Sequence, residues 1–286
     1  MKDNRLYQPS YLKEVLKKFN FTFSKALGQN FLTDGNIIRK IVKESSISKE
    51  DTVLEVGPGF GTLTEELAIN AKQVIAVEKD SRLMEVLEFT LEDFENVIII
   101  NNDILKENIK KIKEEFSPNR KLKVVANLPY YITTPIIEYL IENKEYIDSI
   151  TIMVQEEVAK RIVATKDNKD YGSLSLYIAY NSDARIIGKA PKNIFMPSPK
   201  VDSAVVILEL RNKEFNVDED LLFKIIHSGF TKRRKNILNS LTTGFANIKK
   251  EELKEVLAEL KINSNLRAEN LSLNDFINIT NKINDD

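Results

Sequence analysis

From Asp51 onward, short apolar runs alternate with segments of helical spacing. Thr52–Val56, Gln73–Val77, Asn96–Ile100, Leu122–Ala126 and Ile150–Val154 are mostly continuous apolar runs rich in Val and Ile. Such runs suit parallel strands buried on both faces. Between them, Leu63–Asn70, Ser81–Phe94, Ile104–Phe116 and Pro135–Asn143 read as helices. Thr134 before Pro135 predicts an N-cap followed by a proline at the first helical position. The βαβα alternation predicts an α/β fold, a doubly wound parallel sheet. Val201–Leu210 predicts one more strand, joining antiparallel.

After Arg211 the pattern changes. Asn212–Asp220 is polar and reads as a linker, and Leu221–Leu241, Lys250–Leu260 and Leu273–Ile283 read as helices with no strand between them. The division predicted is a first domain over 1–213, with a basic extension at 1–23, and a small all-helical domain over 214–286. In the first of these helices, at about 100° per residue, Arg233 falls inside the apolar stripe of Leu222, Ile225, Ile226, Phe230 and Ile237. Either the helix kinks near Gly229, or Arg233 reaches a charged partner, an RNA phosphate or a protein carboxylate.

Composition narrows the chemistry. The chain has 286 residues, 42% hydrophobic and 30% charged, which suits a soluble globular protein. It contains no cysteine, so disulfides, thiolate metal sites and cysteine nucleophiles are excluded. The one histidine, His227, cannot build a His-rich metal site or supply a Ser-His-Asp triad with any support around it, so no metal is expected. The N-terminus lacks the apolar core of a signal peptide, and no apolar run approaches the roughly 20 residues of a membrane span. A cytoplasmic location is the expectation, and the sequons at Asn20 and Asn278 then carry no meaning.

The formal net charge is −1, unusual for a protein of nucleic acid. The charge is uneven, however. Lys2, Arg5, Lys13, Lys17, Lys18 and Lys25 face only Asp3 and Glu14 within the first thirty residues, and Lys232, Arg233, Arg234 and Lys235 form an unbroken basic run. Such a run suits a phosphate backbone or a solvated helix face equally well.

Four strand ends carry candidate chemistry. Glu55-Val56-Gly57-Pro58-Gly59-Phe60-Gly61 lies between a strand and a helix, where glycines permit a tight turn and close approach of a ligand. The spacing is G-x-G-x-G, not the dinucleotide G-x-G-x-x-G, which favours a ligand without pyrophosphate. Glu78 ends the second strand, about 20 residues on, where a carboxylate can accept ribose hydroxyls. Asp103, after the third strand, can accept from an adenine amino group. At the end of the fourth strand, Asn127 and the Leu128 carbonyl could each accept one N–H of an exocyclic amine. Pro129 fixes the turn, and Tyr130 offers a face for a base, worth about 1–3 kcal/mol. Phe195, in the proline-stiffened Phe195–Pro199 loop, is a second ring able to meet a base, or else a core anchor.

The segments KALGQNFL (25–32), LEVGPGFGTLT (54–64), AVEKD (76–80), VANLPYYITTPI (125–136), FMPSPKVDSAV (195–205), FTKRRKNILNSL (230–241) and RAENLSLNDF (267–276) together resemble the ribosomal RNA adenine N6-dimethyltransferase family, the KsgA/RsmA type acting on small-subunit rRNA. The resemblance implies a class I (Rossmann-like) methyltransferase sheet with a C-terminal helical domain. It implies S-adenosylmethionine held by Asn30, Leu32, Gly57, Glu78, Asp103 and Asn127, and released as S-adenosylhomocysteine. It implies transfer of methyl groups to two adjacent adenosines near the 3′ end of 16S rRNA, in an assembling particle. Asn127, Leu128, Tyr130 and Phe195 would hold the target adenine. Nothing in the chain indicates more than a monomer. The alternatives are the large-subunit rRNA methyltransferase of the resistance type, a DNA adenine methylase, an NAD-dependent dehydrogenase, and a non-enzymatic assembly factor on the same fold.

Overall fold

The computed structural model describes residues 5–24, 28–211, 215–232, 234–245 and 249–285. In chain order the elements are α1 (Pro9–Lys18), β1 (Phe31–Leu32), α2 (Gly35–Glu44), β2 (Thr52–Val56), α3 (Thr62–Asn70), β3 (Gln73–Glu78), α4 (Met84–Thr90), β4 (Val97–Asn101), α5 (Ile109–Phe116), β5 (Leu122–Asn127) and α6 (Thr133–Glu142). There follow β6 (Ile147–Gln155), α7 (Glu156–Ile162), α8 (Ser173–Asn181), β7 (Ser182–Ala190), β8 (Phe195–Met196), β9 (Ser203–Leu210), α9 (Glu219–Thr231), α10 (Ile237–Gly244), α11 (Lys250–Glu259) and α12 (Leu273–Asp285).

The main sheet has seven strands in the order β4-β3-β2-β5-β6-β9-β7. β2 lies parallel to β3 on one side and to β5 on the other. β9 joins β6 antiparallel, as expected. Every residue of β2 is buried, and so is all of β3 except Gln73. That burial on both faces is what the unbroken apolar runs encode. Chain order reverses between β2 and β5, so their carboxyl ends open a crevice at the switch point.

Capping and turn chemistry refine the helices. The segment expected as one helix over 81–94 opens with a 3-10 turn at Ser81–Leu83, because Asp80 accepts from the Arg82 N–H and closes a separate turn. The segment expected over 104–116 is a 3-10 turn at Ile104–Lys106 and then α5, whose cap is Asn108 accepting from Lys111 N. Thr134 is not the cap of α6. The helix starts at Thr133, whose hydroxyl donates to the Pro129 carbonyl. Pro135 still falls in the first turn, where a missing N–H costs no intrahelical bond. α2 is set by Asp34, which accepts from Asn36 N and Ile37 N and buries Ile37, Ile38, Ile41 and Val42 behind it.

Contacts divide the chain into two compact units, Met1–Ala159 with Arg185–Leu210, and Lys160–Ala184 with Arg211–Asp286. The second unit therefore takes Lys160–Ala184, which a linear division at 213/214 assigns to the first. Tyr171, Leu176 and Tyr180 are the reason: they are buried in one cluster with Leu222, Ile226 and Phe276. The Tyr171 hydroxyl donates to the Leu271 carbonyl at 3.0 Å. The helix expected over 221–241 is two helices, and the break lies after Thr231 rather than at Gly229. Asn236 caps α10 by accepting from Asn239 N. Gly229 sits inside α9, where an added Cβ would meet the Ala268 Cβ at 3.3 Å, so its role is close packing. Arg233 lies outside the described residues. Among the described residues, no helix is long and apolar enough to cross a membrane.

In the first unit, the N-terminal segment is bound to the body. Leu6, Leu12 and Val15 are buried with Phe31, Phe60, Leu83, Leu87 and Leu91. Arg5 pairs with Glu65 at 3.0 Å and Glu66 at 2.6 Å on α3. The Phe60 ring meets Phe21 at 5.1 Å and Phe31 at 4.4 Å, both edge-to-face. Phe60→Ala should destabilise the protein by about 3–5 kcal/mol, read from denaturant midpoints. A loss under about 1 kcal/mol would mean that the N-terminal segment is not packed on this ring.

Candidate active site

The crevice beyond β2, β3 and β5 is an open cavity, part of it continuous with solvent. The glycine turn after β2 shapes its floor. Gly57 has φ +70°, and no atom lies within 4 Å of the place where its Cβ would sit. Gly59 has φ +61°, and a Cβ there would stand 2.6 Å from the Phe31 ring. The first glycine keeps space for a ligand, and the second lets the entrance strand β1 cross the turn.

Acidic groups line the same cavity. Glu78, the last residue of β3, accepts from Gly59 N at 3.2 Å and Asp80 N at 2.8 Å. Burial pushes its carboxyl above the usual range, although these backbone donors oppose the shift. Glu55, the penultimate residue of β2, is fully enclosed, and burial pushes its pKa up to about 8, with the charge of Glu78 adding to the rise. Its Oε2 is buried without a hydrogen-bond partner. For Asp103, burial opposes ionisation. The Lys79 ammonium at 2.9 Å and the Leu105 N–H outweigh it and hold the carboxyl below its ordinary value.

The entrance segment is fastened from both sides. β1 pairs antiparallel with β8, Leu32 opposite Phe195. Thr33 adds two hydrogen bonds, N–H and hydroxyl, to the Ile194 carbonyl. Gln29 donates to Asp80 at 2.7 Å. The Asn127 side-chain nitrogen donates to the Asn30 carbonyl at 3.0 Å. That bond leaves the Asn127 side-chain oxygen as the group available to accept. Leu128 buries its side chain, 1% exposed, and its N–H donates to Met153 at 3.1 Å. Its contribution to the cavity is therefore backbone. Tyr130 is half-buried, and its hydroxyl meets Ser203 Oγ at 2.6 Å.

Asn30, Leu32, Gly57, Glu78, Asp103 and Asn127 all line this one cavity, together with Leu128 and Tyr130. Phe195 does not. Its ring is 5% exposed and packs in the apolar cluster with Leu32, Ile38 and Met153, so here it anchors the entrance. Lys232, Arg234 and Lys235 are exposed in the helical unit, and Arg233 lies outside the described residues. His227 is exposed on α9. Among the described residues, no three His, Cys, Asp or Glu side chains come together as a metal site. Sequence reasoning does not single out Glu55 within the glycine turn, nor Gln29, Lys79, Asp80 and Tyr131, which also line the cavity. Glu55 carries a signal in its place two residues before Gly57. The others depend on which loops meet.

These residues fit S-adenosylmethionine. The empty space over Gly57 allows close approach to the backbone. A crevice walled by Glu55, Glu78 and Asp103 suits a cofactor with a positive sulfur and an ammonium group, and the orphaned Glu55 Oε2 is a polar atom awaiting a donor.

A family model described as "Ribosomal RNA adenine dimethylase" matches residues 20–285. The chain is 45% identical over 275 residues to "Ribosomal RNA small subunit methyltransferase A" of Alkaliphilus oremlandii, covering 96% of each chain. Among solved structures it is similar to a dimethyladenosine transferase from Plasmodium falciparum, with TM-score 0.75, 26% identity, and coverage of 89% of this chain and 98% of that one. It is also similar to the 23S rRNA methyltransferase ErmE, with TM-score 0.68, 26% identity, and coverage of 89% and 100%.

Glu55 yields a pH prediction. Its folded pKa of about 8 stands above the ordinary 4.5, so the unfolded chain ionises first as pH rises. Stability linked to Glu55 is therefore present at low pH and lost between those two values. Glu55→Gln removes this dependence. The Tm difference, variant minus parent, should grow steadily from pH 5 to about pH 8. Parallel Tm curves would mean that Glu55 ionises at its ordinary pH.

Proposed function

The chain belongs to the ribosomal RNA adenine dimethylase family, and from that membership we propose that it transfers methyl groups from S-adenosylmethionine to the N6 amines of two adjacent adenosines near the 3′ end of small-subunit rRNA, during assembly of the particle. The first compact unit carries the transfer, and the helical unit contributes to RNA binding. The observation that carries the reading is the hydrogen bond from Asn127 to the Asn30 carbonyl, which turns the amide oxygen outward at the end of β5, in the cavity that also holds Glu78 and Asp103.

S-adenosylmethionine supplies an electrophilic methyl carbon on a positively charged sulfur. Glu78 would accept from its ribose hydroxyls and Asp103 from its adenine amine, with Asn30 and Leu32 also holding it. Asn127 Oδ1 and the Leu128 carbonyl accept the two N–H groups of the target amine. That pulls the nitrogen toward a tetrahedral form and frees a lone pair otherwise spread into the ring. Tyr130 gives the base a face to stack on. The nitrogen attacks the methyl carbon as the carbon–sulfur bond breaks. The sulfur would keep the bonding pair as S-adenosylhomocysteine, and the surplus N–H proton would pass to water. No general base is required. Alignment supplies the rate.

The test is transfer of labelled methyl to unmethylated small subunits, large subunits and naked RNA, with the nucleoside identified. N6,N6-dimethyladenosine on small subunits alone is the expected result. The likeness to ErmE is the reason for including large subunits, and label there would replace this reading. Asn127→Ala should lower kcat by about 10²–10³-fold, the scale for losing one positioned polar group. Activity within a few-fold of the parent would remove Asn127 from the reaction.

For the basic run, replacing Lys232, Arg233, Arg234 and Lys235 by Ala should weaken RNA binding. The slope of log affinity against log salt should flatten by about 0.7–0.9 for each phosphate that the variant no longer neutralises. An unchanged slope would take the run out of the RNA footprint.

A further inference from the structure

Tyr130 sits in a turn whose backbone is pinned on both sides. Leu128 N–H donates to the Met153 carbonyl at 3.1 Å, and the Pro129 carbonyl accepts from Ile132 N at 3.2 Å and from the Thr133 hydroxyl at 3.1 Å. What remains free is rotation of the Tyr130 ring about its own side-chain bonds. The phenol tip meets Ser203 Oγ at 2.6 Å, which stops that rotation. Ser203 is well placed to act as a stop. It is 0% exposed, it opens β9, and it stands opposite Gln155, the last residue of β6. It does not itself line the cavity; Tyr130 does. Burial raises the Tyr130 phenol above its ordinary pKa, so the hydroxyl stays protonated and able to donate across the neutral range.

Resting on the function proposed above, we infer that Ser203 is a positioning residue which, by holding the Tyr130 ring, governs the second methyl transfer to each amine more than the first. The reason is a count of hydrogen bonds. An unmethylated amine offers two N–H groups, one to Asn127 Oδ1 and one to the Leu128 carbonyl. After one transfer a single N–H remains, so one of those two anchors is gone. The monomethylated base is then oriented by one hydrogen bond and by its stacking on Tyr130. A ring free to turn costs the second step more, because less else defines the geometry. Bonds form and break in the second transfer as in the first. Nitrogen takes the methyl, sulfur leaves, and the last N–H proton goes to water.

The experiment is single-turnover and steady-state methylation of small subunits by the full chain, with N6-monomethyl- and N6,N6-dimethyladenosine measured separately. Ser203→Ala and Tyr130→Phe each delete one end of the hydrogen bond and leave the ring. Each should slow the second transfer by about tenfold, the scale of one lost hydrogen bond, and slow the first by less than about threefold. Monomethyladenosine should accumulate, and KM for S-adenosylmethionine should stay within about twofold of the parent. The double variant should do no worse than either single one, because both remove the same bond. A merely structural serine would lower Tm and both transfers together, with no change in product ratio. That outcome, or product ratios equal to the parent's in both single variants, overturns this inference alone. A parent chain that makes no dimethyladenosine on any RNA overturns the underlying reading and this inference with it.

Discussion

The rest of the site depends on one hydrogen bond, from the Asn127 side-chain nitrogen to the carbonyl of Asn30. It joins residues 97 positions apart and ties the entrance segment to the end of β5. It also decides which end of the amide faces the cavity. An amide turned the other way would present two donors to an amine that itself has donors to place, and that pairing fails. The bond can form because Asn30 is held in place. Its neighbouring strand β1 is paired to β8, and the crossing over the turn is open only because residue 59 has no side chain.

The electrostatics follow from the same crevice. Parallel strands bring their carboxyl ends, and the acids at those ends, to one place. Asp103 stays ionised because Lys79 reaches it, whereas Glu55 and Glu78 are pushed up by burial and proximity. A cationic cofactor would offset that rise, since positive charge beside Glu55 and Glu78 favours their ionised forms. The site is therefore arranged for a ligand carrying charge opposite to its own.

Much of the sheet is legible in the sequence because its strands are buried on both sides. Unbroken apolar runs such as VIAV, flanked by turn residues and rich in Val and Ile, suit neither a surface loop nor an amphipathic helix. β7 is not legible in this way. Between buried Ser182 and Ala190, its run SDARIIGKA mixes exposed and half-buried positions, as expected of a strand at the sheet edge. α1 and α2 precede the first strand of the main sheet, so the alternating pattern does not frame them. The membership of α8 in the helical unit is a tertiary fact. Nothing local to SLSLYIAYN says that Tyr180 will stack on Phe215 at 5.1 Å. In the site, the positions read from strand ends meet at the cavity, since topology alone brings strand ends together. Phe195 offers a ring to the eye, but register places it opposite Leu32, where it packs against the core. The partnership of Tyr130 with Ser203, 73 residues away, has no trace in either local sequence.

The decisive point is which atom of Asn127 meets the target amine. A crystal structure of the chain with S-adenosylhomocysteine and an adenosine-containing RNA fragment would answer this directly. The expected result is N6 within about 3 Å of both Asn127 Oδ1 and the Leu128 carbonyl, with Asn127 Nδ2 still on the Asn30 carbonyl and the nitrogen facing the sulfur. An adenine whose amine lies away from Asn127, or an Asn127 released from Asn30 with its nitrogen toward the base, would contradict it.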